Sequence, residues 1–330
     1  MRRHRSILLT LLATLLAALV VAGCGGDDEE GGGSAQQPPE GGGEEQSRVI
    51  EPIPGAEQTS ITVGSKNFDE QFILGEIYAQ SLEAAGYDVE KELDIGSEVV
   101  AYEALTGGEL DAYPEYTGTA LTSFFDVELD AVPRDKGEAY EQARAAYAED
   151  GITALPPTPF ENTYRIGLLK ETAQELGNPT MISQLKGRAG DLSISGFPEC
   201  RQRTDCLLGV EQTYGLEFSE FVSSESPYEV LDTKEADTAF IFTTDGNLAT
   251  GQYAVLEDDM SLFPPYNVTL SVRNEIAEAM GPEGQAVIEA VQEPLTEEVM
   301  QELNSRVAVD REEPEVVASD YLNAFGFVQG

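Results

Sequence analysis

Short apolar strands alternate with amphipathic helices along most of this 330-residue chain, and this alternation limits the possible folds more than any other feature. The pattern first predicts a strand at residues 61–64, a helix at 69–85, a strand at 87–95, a helix at 98–105 and a strand at 109–113. The first helix has large apolar side chains at helical spacing, and Gly86 supplies its stop signal. Strands and helices in this order form α/β units, so the sequence predicts an α/β fold.

The same alternation returns in the middle of the chain. After a helix at 137–150 and a short strand at 152–155, strands are predicted at residues 162–169, 192–195, 238–242, 253–256 and 268–272, and helices at 274–325. The part that can fold, about 270 residues, exceeds the usual size of a single core, so we expect two lobes. We expect residues 59–160 and 267–330 to form the first lobe and residues 161–266 the second, with two chain crossings between them.

The amino terminus has the pattern of a secretory signal peptide. Three arginines precede an apolar run at residues 7–21, and small residues follow up to Cys24. The alternative is an uncleaved membrane helix, but an apolar run of about 15 residues is short for a span that needs about 20. The residues before Cys24 resemble a bacterial lipobox, which implies removal of residues 1–23 and attachment of lipid to Cys24. We therefore expect a protein anchored at the extracytoplasmic face of the cell membrane.

The segment after this cysteine predicts a flexible tether. Residues 24–58 are rich in Gly, Glu, Asp, Gln, Ser and Pro and contain few large apolar side chains. Such a composition cannot bury enough surface to fold. We expect it to hold a globular body near the membrane while letting that body move.

The charge balance and the single histidine exclude several classes of function. The chain has 61 acidic and 19 basic residues, and removal of the leader would leave 16 basic residues. A nucleic-acid partner is therefore not expected. The only histidine, His4, lies in the leader, so the mature chain would have no Ser-His or Cys-His dyad and no imidazole metal ligand. The acidity fits a solvated surface, or alternatively the steering of cationic ligands.

Two further cysteines, Cys200 and Cys206, lie six positions apart. In an oxidising compartment such a pair is expected to form a disulfide. A metal site is the alternative, but two thiolates without histidine make a poor zinc ligand set. Because Arg201 and Arg203 lie between the cysteines, a disulfide would stiffen the loop that carries them.

Two predicted strands end in polar and aromatic residues that are typical of a ligand cleft. Residues 64–68 read Gly-Ser-Lys-Asn-Phe, and residues 111–119 read Asp-Ala-Tyr-Pro-Glu-Tyr-Thr-Gly-Thr. Together they resemble the glycine betaine/carnitine/choline-binding proteins, which are the solute receptors of osmoprotectant ABC transporters. The resemblance runs from about residue 60 to the carboxyl terminus. It implies a two-lobed periplasmic-binding-protein fold of type II, a monomer without cofactor, and a small quaternary amine as ligand.

The resemblance also implies roles for individual residues. The aromatic residues that match the family's box around the ammonium group are Tyr116, Tyr164, Phe242 and Tyr266. Phe242 replaces a tyrosine common in the family, and Asn162 matches a position whose backbone carbonyl lies near the positive group. Lys66, Thr119 and Arg203 match positions that hold a ligand carboxylate, and Arg201 competes with Arg203 for that role.

Three functional hypotheses follow. The first is a receptor that closes around a quaternary ammonium osmoprotectant and docks on a membrane permease with its ATPase. The second is a sensor that passes its ligand signal to a membrane partner without transport. The third is an extracytoplasmic enzyme on the same scaffold, with Asp111 and Glu115 as acid and base. Because acidic residues are abundant, close carboxylates are expected from composition alone, and we predict that the protein is not an enzyme.

Overall fold

The computed structural model describes residues 48–224 and 226–329. The strands are β1 (Ser60–Gly64), β2 (Asp88–Glu92), β3 (Ala112–Tyr116), β4 (Ile152–Ala154), β5 (Tyr164–Leu169), β6 (Ser193–Gly196), β7 (Glu220–Ser223), β8 (Thr238–Phe242), β9 (Tyr253–Leu256) and β10 (Val268–Arg273). The helices are α1 (Asp69–Ala84), α2 (Glu98–Gly107), α3 (Thr117–Ser123), α4 (Lys136–Glu149), α5 (Lys170–Glu175), α6 (Leu207–Tyr214), α7 (Pro227–Asp232), α8 (Asn274–Gln292), α9 (Glu297–Ala308) and α10 (Pro314–Ala324).

The strands form two five-stranded sheets, which confirms the predicted α/β class. The first sheet has the order β2-β1-β3-β10-β4 and the second has the order β7-β6-β8-β5-β9. In the first sheet, β1 runs parallel to β2 and β3, whereas β10 runs antiparallel to β3 and β4. The second sheet repeats this design, because β6 is parallel to β7 and β8 while β5 is antiparallel to β8 and β9. Each sheet is therefore the centre of one lobe.

The chain passes from the first sheet to the second between β4 and β5, and it returns between β9 and β10. The two crossing segments lie side by side. Glu161 and Asn267 form an antiparallel bridge, and the backbone N–H of Asn162 donates to the carbonyl of Tyr266 at 3.1 Å. The backbone N–H of Thr117 also donates to the carbonyl of Asn267 at 3.0 Å. The start of α3 is thereby joined to the returning crossing.

Strand β3 lies three residues further along the chain than the alternation predicts. The prediction ended it at residue 113, but the paired residues are Ala112–Tyr116, and all five are buried. Asp111 precedes the strand, where its carboxylate accepts from the backbone N–H of Thr62 at 2.9 Å and pairs with Arg273. Tyr116 is consequently the last residue of the strand.

Strand β7 was not predicted from the sequence, whereas the predicted carboxyl-terminal helices are present. None of the four residues of the edge strand β7 is fully buried, and the strand lacks the apolar alternation by which a strand is recognised. The helical region predicted at 274–325 consists of the three helices α8, α9 and α10. Within α8, Gly281 has a φ of 64° and Pro282 follows it, so the helix is kinked there.

The carboxyl-terminal helices complete the first lobe and also reach the second. Helix α9 contributes Met300, Leu303 and Val307 to the core that surrounds β1, α1 and β10. On the same helix, the side-chain amide of Gln301 donates to the carbonyl of Thr243 at 2.7 Å, just beyond β8. Helix α9 therefore connects the first lobe to the end of β8 through this hydrogen bond.

The packed body begins before residue 59. The backbone N–H of Ile50 donates to the carbonyl of Phe327 at 2.8 Å, and that of Ile53 donates to the carbonyl of Ala85 at 2.8 Å. Both isoleucines pack against the core of the first lobe, and Ala56 is buried in it. The tether was predicted to extend to residue 58, but the apolar residues near its end pack on the core of the first lobe. The predicted end of the tether is therefore too late in the sequence.

The signal peptide, Cys24 and the tether up to residue 47 lie outside the described residues. Among the residues that are described, no helix is both long enough and apolar enough to cross a membrane.

Candidate functional site

The ends of β5 and β8 place two aromatic rings next to each other. Tyr164 and Phe242 are direct partners in this antiparallel pair, so their side chains leave the same face of the sheet. The ring centroids lie 4.5 Å apart with an interplanar angle of 26°. Phe197, which follows β6, places a third ring 6.5 Å from that of Phe242. All three rings are half-buried and form an aromatic platform at the end of the second sheet.

Tyr266 lies on the returning crossing, and its ring packs against the first turn of α3. A Cβ atom at Gly118 would lie 2.8 Å from Cε1 of this ring and 2.9 Å from the carbonyl oxygen of Pro265. The absence of a side chain at Gly118 is therefore what lets the tyrosine ring approach. Burial raises the pKa of Tyr266, and charges on Arg203 and Asp205 also act on its hydroxyl. Tyr266 thus lies between α3 of the first lobe and charged residues of the second.

Tyr116 ends β3 and is 5 % exposed. Its hydroxyl donates a hydrogen bond to Oε1 of Glu70 at 2.7 Å. Burial, followed by the Glu70 carboxylate, raises the pKa of Tyr116 well above its ordinary value, so the hydroxyl keeps its proton. The ring of Phe68 lies nearly parallel to that of Tyr116, with centroids 6.2 Å apart, and Phe68 is 39 % exposed.

The ammonium group of Lys66 lies 4.5 Å from the centroid of the Tyr116 ring and forms a salt bridge with Glu115. The side chains of both charged residues are almost completely buried. Glu115 also accepts from the hydroxyl of Tyr113 at 3.1 Å and from the backbone N–H of Tyr116 at 2.7 Å. Lys66 therefore has a carboxylate partner within the protein, and the sequence pattern gave no sign of this pairing.

The disulfide between Cys200 and Cys206 closes a short loop, with Cα atoms 5.2 Å apart. Within it, Nε of Arg203 donates to Oδ1 of Asp205 at 2.7 Å, and Nη2 donates to Oδ2. Asp205 is 1 % exposed, whereas 42 % of the Arg203 side chain is exposed. The hydrogen bonds to Asp205 raise the pKa of Arg203, and the guanidinium interacts electrostatically with Tyr164 and Tyr266.

The two arginines of this loop have different surroundings. The guanidinium of Arg201 lies 4.6 Å from the centroid of the Phe221 ring, and its Nη2 donates to the carbonyl of Phe221 at 3.2 Å. Phe221 belongs to the edge strand β7. Arg203 is thus the arginine whose charge acts on the aromatic residues of the candidate site.

Thr119 follows Gly118 in the sequence, and Asn162 is bonded to the partner of Tyr116. Thr119 is half-buried in α3, one residue after the glycine on which Tyr266 packs. The side-chain amide of Asn162 donates to Oε1 of Glu70 at 3.0 Å, the same oxygen that accepts from Tyr116. The crossing segment is thereby joined to the first-lobe tyrosine.

Sequence reasoning did not identify Glu70 or Asp205 as parts of this region, and it gave Phe68, the last residue of the 64–68 motif, no role of its own. Glu70 and Phe68 lie in or beside the first turn of an amphipathic helix, where a carboxylate is expected for the helix dipole alone. Asp205 lies in a loop in which the sequence analysis gave roles only to the cysteines and arginines. Among residues 48–224 and 226–329, no three His, Cys, Asp or Glu side chains are grouped as a metal site would require.

Comparison with known proteins agrees with this architecture. A solved structure described as a glycine betaine/carnitine/choline ABC transporter superimposes with a TM-score of 0.75 at 24 % identity, covering 80 % of this chain and 99 % of that one. The likeness shows that the two proteins share the two-lobed fold.

Two curated relatives are similar in sequence. A glycine-betaine-binding protein of Pseudomonas aeruginosa is 32 % identical over 281 residues, which cover 81 % of this chain and 88 % of that protein. The ergothioneine transport permease/ergothioneine binding protein EgtU of Helicobacter pylori is 27 % identical over 279 residues, 83 % of this chain and 49 % of that protein. The family described as the substrate binding domain of ABC-type glycine betaine transport system matches residues 59–324. The chain therefore belongs to this family of transport substrate-binding domains.

Proposed function

We propose that this protein captures glycine betaine or a related quaternary ammonium osmoprotectant between its two lobes. The observation that carries the proposal is the stacked pair of Tyr164 and Phe242 at partnered strand ends. A quaternary ammonium group has no N–H to donate, so the negative faces of aromatic rings are its best partners. Tyr116 and Tyr266 supply the other two rings of the proposed aromatic box.

The proposed ligand carries a carboxylate, which we assign to Arg203 together with Lys66 and Thr119. Arg203 uses one edge of its guanidinium on Asp205, and the partial exposure of its side chain leaves other N–H groups for a ligand. Lys66 is paired with Glu115, so its ammonium would be shared between that carboxylate and the ligand. Glycine betaine and ergothioneine, the ligands in the relatives' names, each combine a trimethylammonium group with a carboxylate.

In the cell, the protein would deliver its ligand to an ABC permease driven by an ATPase. This part rests on the family and on the amino-terminal sequence, where residues 1–23 would be removed and Cys24 would carry lipid. A lipid-anchored monomer outside the cytoplasm would hold its solute near the permease, and residues 59–160 with 267–330 would close on residues 161–266. Osmolyte uptake in a deletion strain distinguishes transport from sensing. Loss of uptake supports delivery, and intact uptake contradicts it.

Calorimetric titration of the purified protein with glycine betaine, proline betaine, carnitine and choline tests the proposed ligand class. We expect binding of one or more of these ligands and its loss in Tyr116→Ala. Arg203→Ala should weaken the carboxylate-bearing ligands by about 10- to 100-fold, as expected for a charge-assisted hydrogen bond, and leave choline little changed. Arg201→Ala, on the same loop but bound to Phe221, is the matched control and should bind like the wild type. A panel without binding would contradict the proposal.

A further inference from the structure

Glu70 is a buried carboxylate at the beginning of α1 that receives three hydrogen bonds from neutral side chains. It is 3 % exposed. The hydroxyl of Tyr116 donates to Oε1 at 2.7 Å, and the amide of Asn162 donates to the same oxygen at 3.0 Å. The amide of Asn304 donates to Oε2 at 2.8 Å. None of the ion pairs within the described part of the chain includes Glu70.

These three bonds join segments that are far apart in the sequence. Tyr116 ends a strand of the first sheet, Asn162 lies on the crossing to the second lobe, and Asn304 belongs to α9. The amide of Asn304 also donates to the carbonyl of Thr244, just beyond β8, at 2.8 Å. The Tyr116 ring is therefore held by a carboxylate whose own position is fixed by the crossing and by the helix that bonds to the second lobe.

The surroundings of Tyr116 are suited to a positive charge. The ammonium of Lys66 already lies 4.5 Å from the ring centroid, so the ring has a cation against it in this structure. A carboxylate that accepts the phenol hydrogen bond makes the ring more electron-rich, which strengthens its attraction for cations. A buried negative charge one hydrogen bond beyond the ring also attracts a cation through space.

We propose that Glu70 is a positioning residue for the quaternary ammonium group, one that fixes the ring of Tyr116 and adds a negative charge behind it. This inference rests on the proposed function. A carboxylate with this role selects for the positive charge of the ligand and not for its shape. Its contribution can therefore be separated from packing with a ligand of the same outline that lacks the positive charge.

The test compares glycine betaine with 3,3-dimethylbutanoate, which has carbon in place of nitrogen and keeps the carboxylate. The dissociation constants of both ligands are measured by calorimetry for the wild type and for Glu70→Gln, which keeps the size of the side chain. We expect the Kd for glycine betaine to rise about tenfold and that for 3,3-dimethylbutanoate to stay or fall, so that the selectivity between them drops about tenfold. A purely structural role would weaken both ligands equally.

Two further variants keep the inference testable. Glu76→Gln removes a carboxylate from the same helix, one that pairs with Lys91 instead of a tyrosine, and should leave the selectivity unchanged. Tyr116→Phe removes only the hydroxyl that joins the ring to Glu70 and should lower the selectivity about threefold. If Glu70→Gln does not fold, the selectivity of Tyr116→Phe tests the inference. A lower selectivity supports the role of Glu70, and an unchanged selectivity contradicts it.

Each outcome points to a different conclusion. Binding of glycine betaine by the wild type with unchanged selectivity in Glu70→Gln would overturn the role of Glu70 and leave the proposed function intact. A wild type that binds no quaternary amine would overturn both.

Discussion

Gly118→Ala tests whether the approach of the Tyr266 ring to α3 shapes the ligand site. The new Cβ would lie 2.8 Å from Cε1 of the ring and 2.9 Å from the carbonyl oxygen of Pro265. Carbon atoms in contact normally lie about 3.5–4.0 Å apart, so the ring or the crossing must retreat by roughly 1 Å. Overpacking of this kind costs about 1–3 kcal/mol of stability.

Displacement of one ring of the proposed box would forfeit part of a contribution of about 0.5–2 kcal/mol to binding. We therefore expect the Kd for glycine betaine to rise, by at most about 30-fold. Calorimetric titration measures this effect, and thermal unfolding shows that the variant is folded.

Gly107→Ala is the matched control for this prediction. It adds the same methyl group at the end of α2, where a Cβ would have nothing within 4 Å. The control should bind like the wild type. If Gly118→Ala also binds glycine betaine with wild-type affinity, Tyr266 does not take part in the site.

Three further predictions concern stability. Burial raises the pKa of Asp245 from 3.8 to about 6, so the folded protein holds this proton more tightly than the unfolded chain, and the group lowers stability as pH rises through that window. The unfolding free energy of Asp245→Asn should therefore increase relative to that of the wild type by about 2–3 kcal/mol as pH rises from 4 to 7. Urea unfolding at several pH values measures this, and a difference between the two proteins that does not change with pH would contradict it. Replacement of Cys200 and Cys206 by serine should lower the unfolding free energy by about 2 kcal/mol in non-reducing conditions, and an unchanged denaturation midpoint would refute the loop-closure reasoning. Gly246→Ala would place a Cβ 2.5 Å from the backbone nitrogen of Ser305 and should lower the melting temperature by several degrees, whereas an unchanged melting temperature would show that α9 and the 246–250 turn can separate freely.

The alternation of apolar residues was sufficient to predict the α/β class and most elements. Each of these elements packs one face against a core, and that face appears in the sequence as apolar residues at regular spacing. Strands β8 (Thr238–Phe242) and β9 (Tyr253–Leu256) have the bounds that the pattern predicted. Strand β3 was placed three residues too early, and the predicted strand included Asp111, whose carboxylate bonds to the backbone of β1 from outside the strand. The register of β3 is set by its pairing with β10, which lies over 150 positions away, so it cannot be predicted from the residues of β3 alone.

Individual residues of the candidate site were predicted less completely than the fold. The aromatic residues could be named because they occur in the order of a known family, and two of them, Tyr164 and Phe242, are adjacent in the structure. The buried partners of the charged residues could not be named, because Glu70 and Glu115 are two carboxylates among 61 acidic residues. Glu115 precedes Tyr116 in the sequence, but only the packing of β3 against α1 brings Glu70 to the hydroxyl of Tyr116.

A crystal structure of the protein with glycine betaine tests the central claim most directly. We predict the trimethylammonium group within about 6 Å of the ring centroids of Tyr116, Tyr164, Phe242 and Tyr266, and the carboxylate on Arg203. A ligand bound away from these rings, or a carboxylate held without Arg203, would contradict the account.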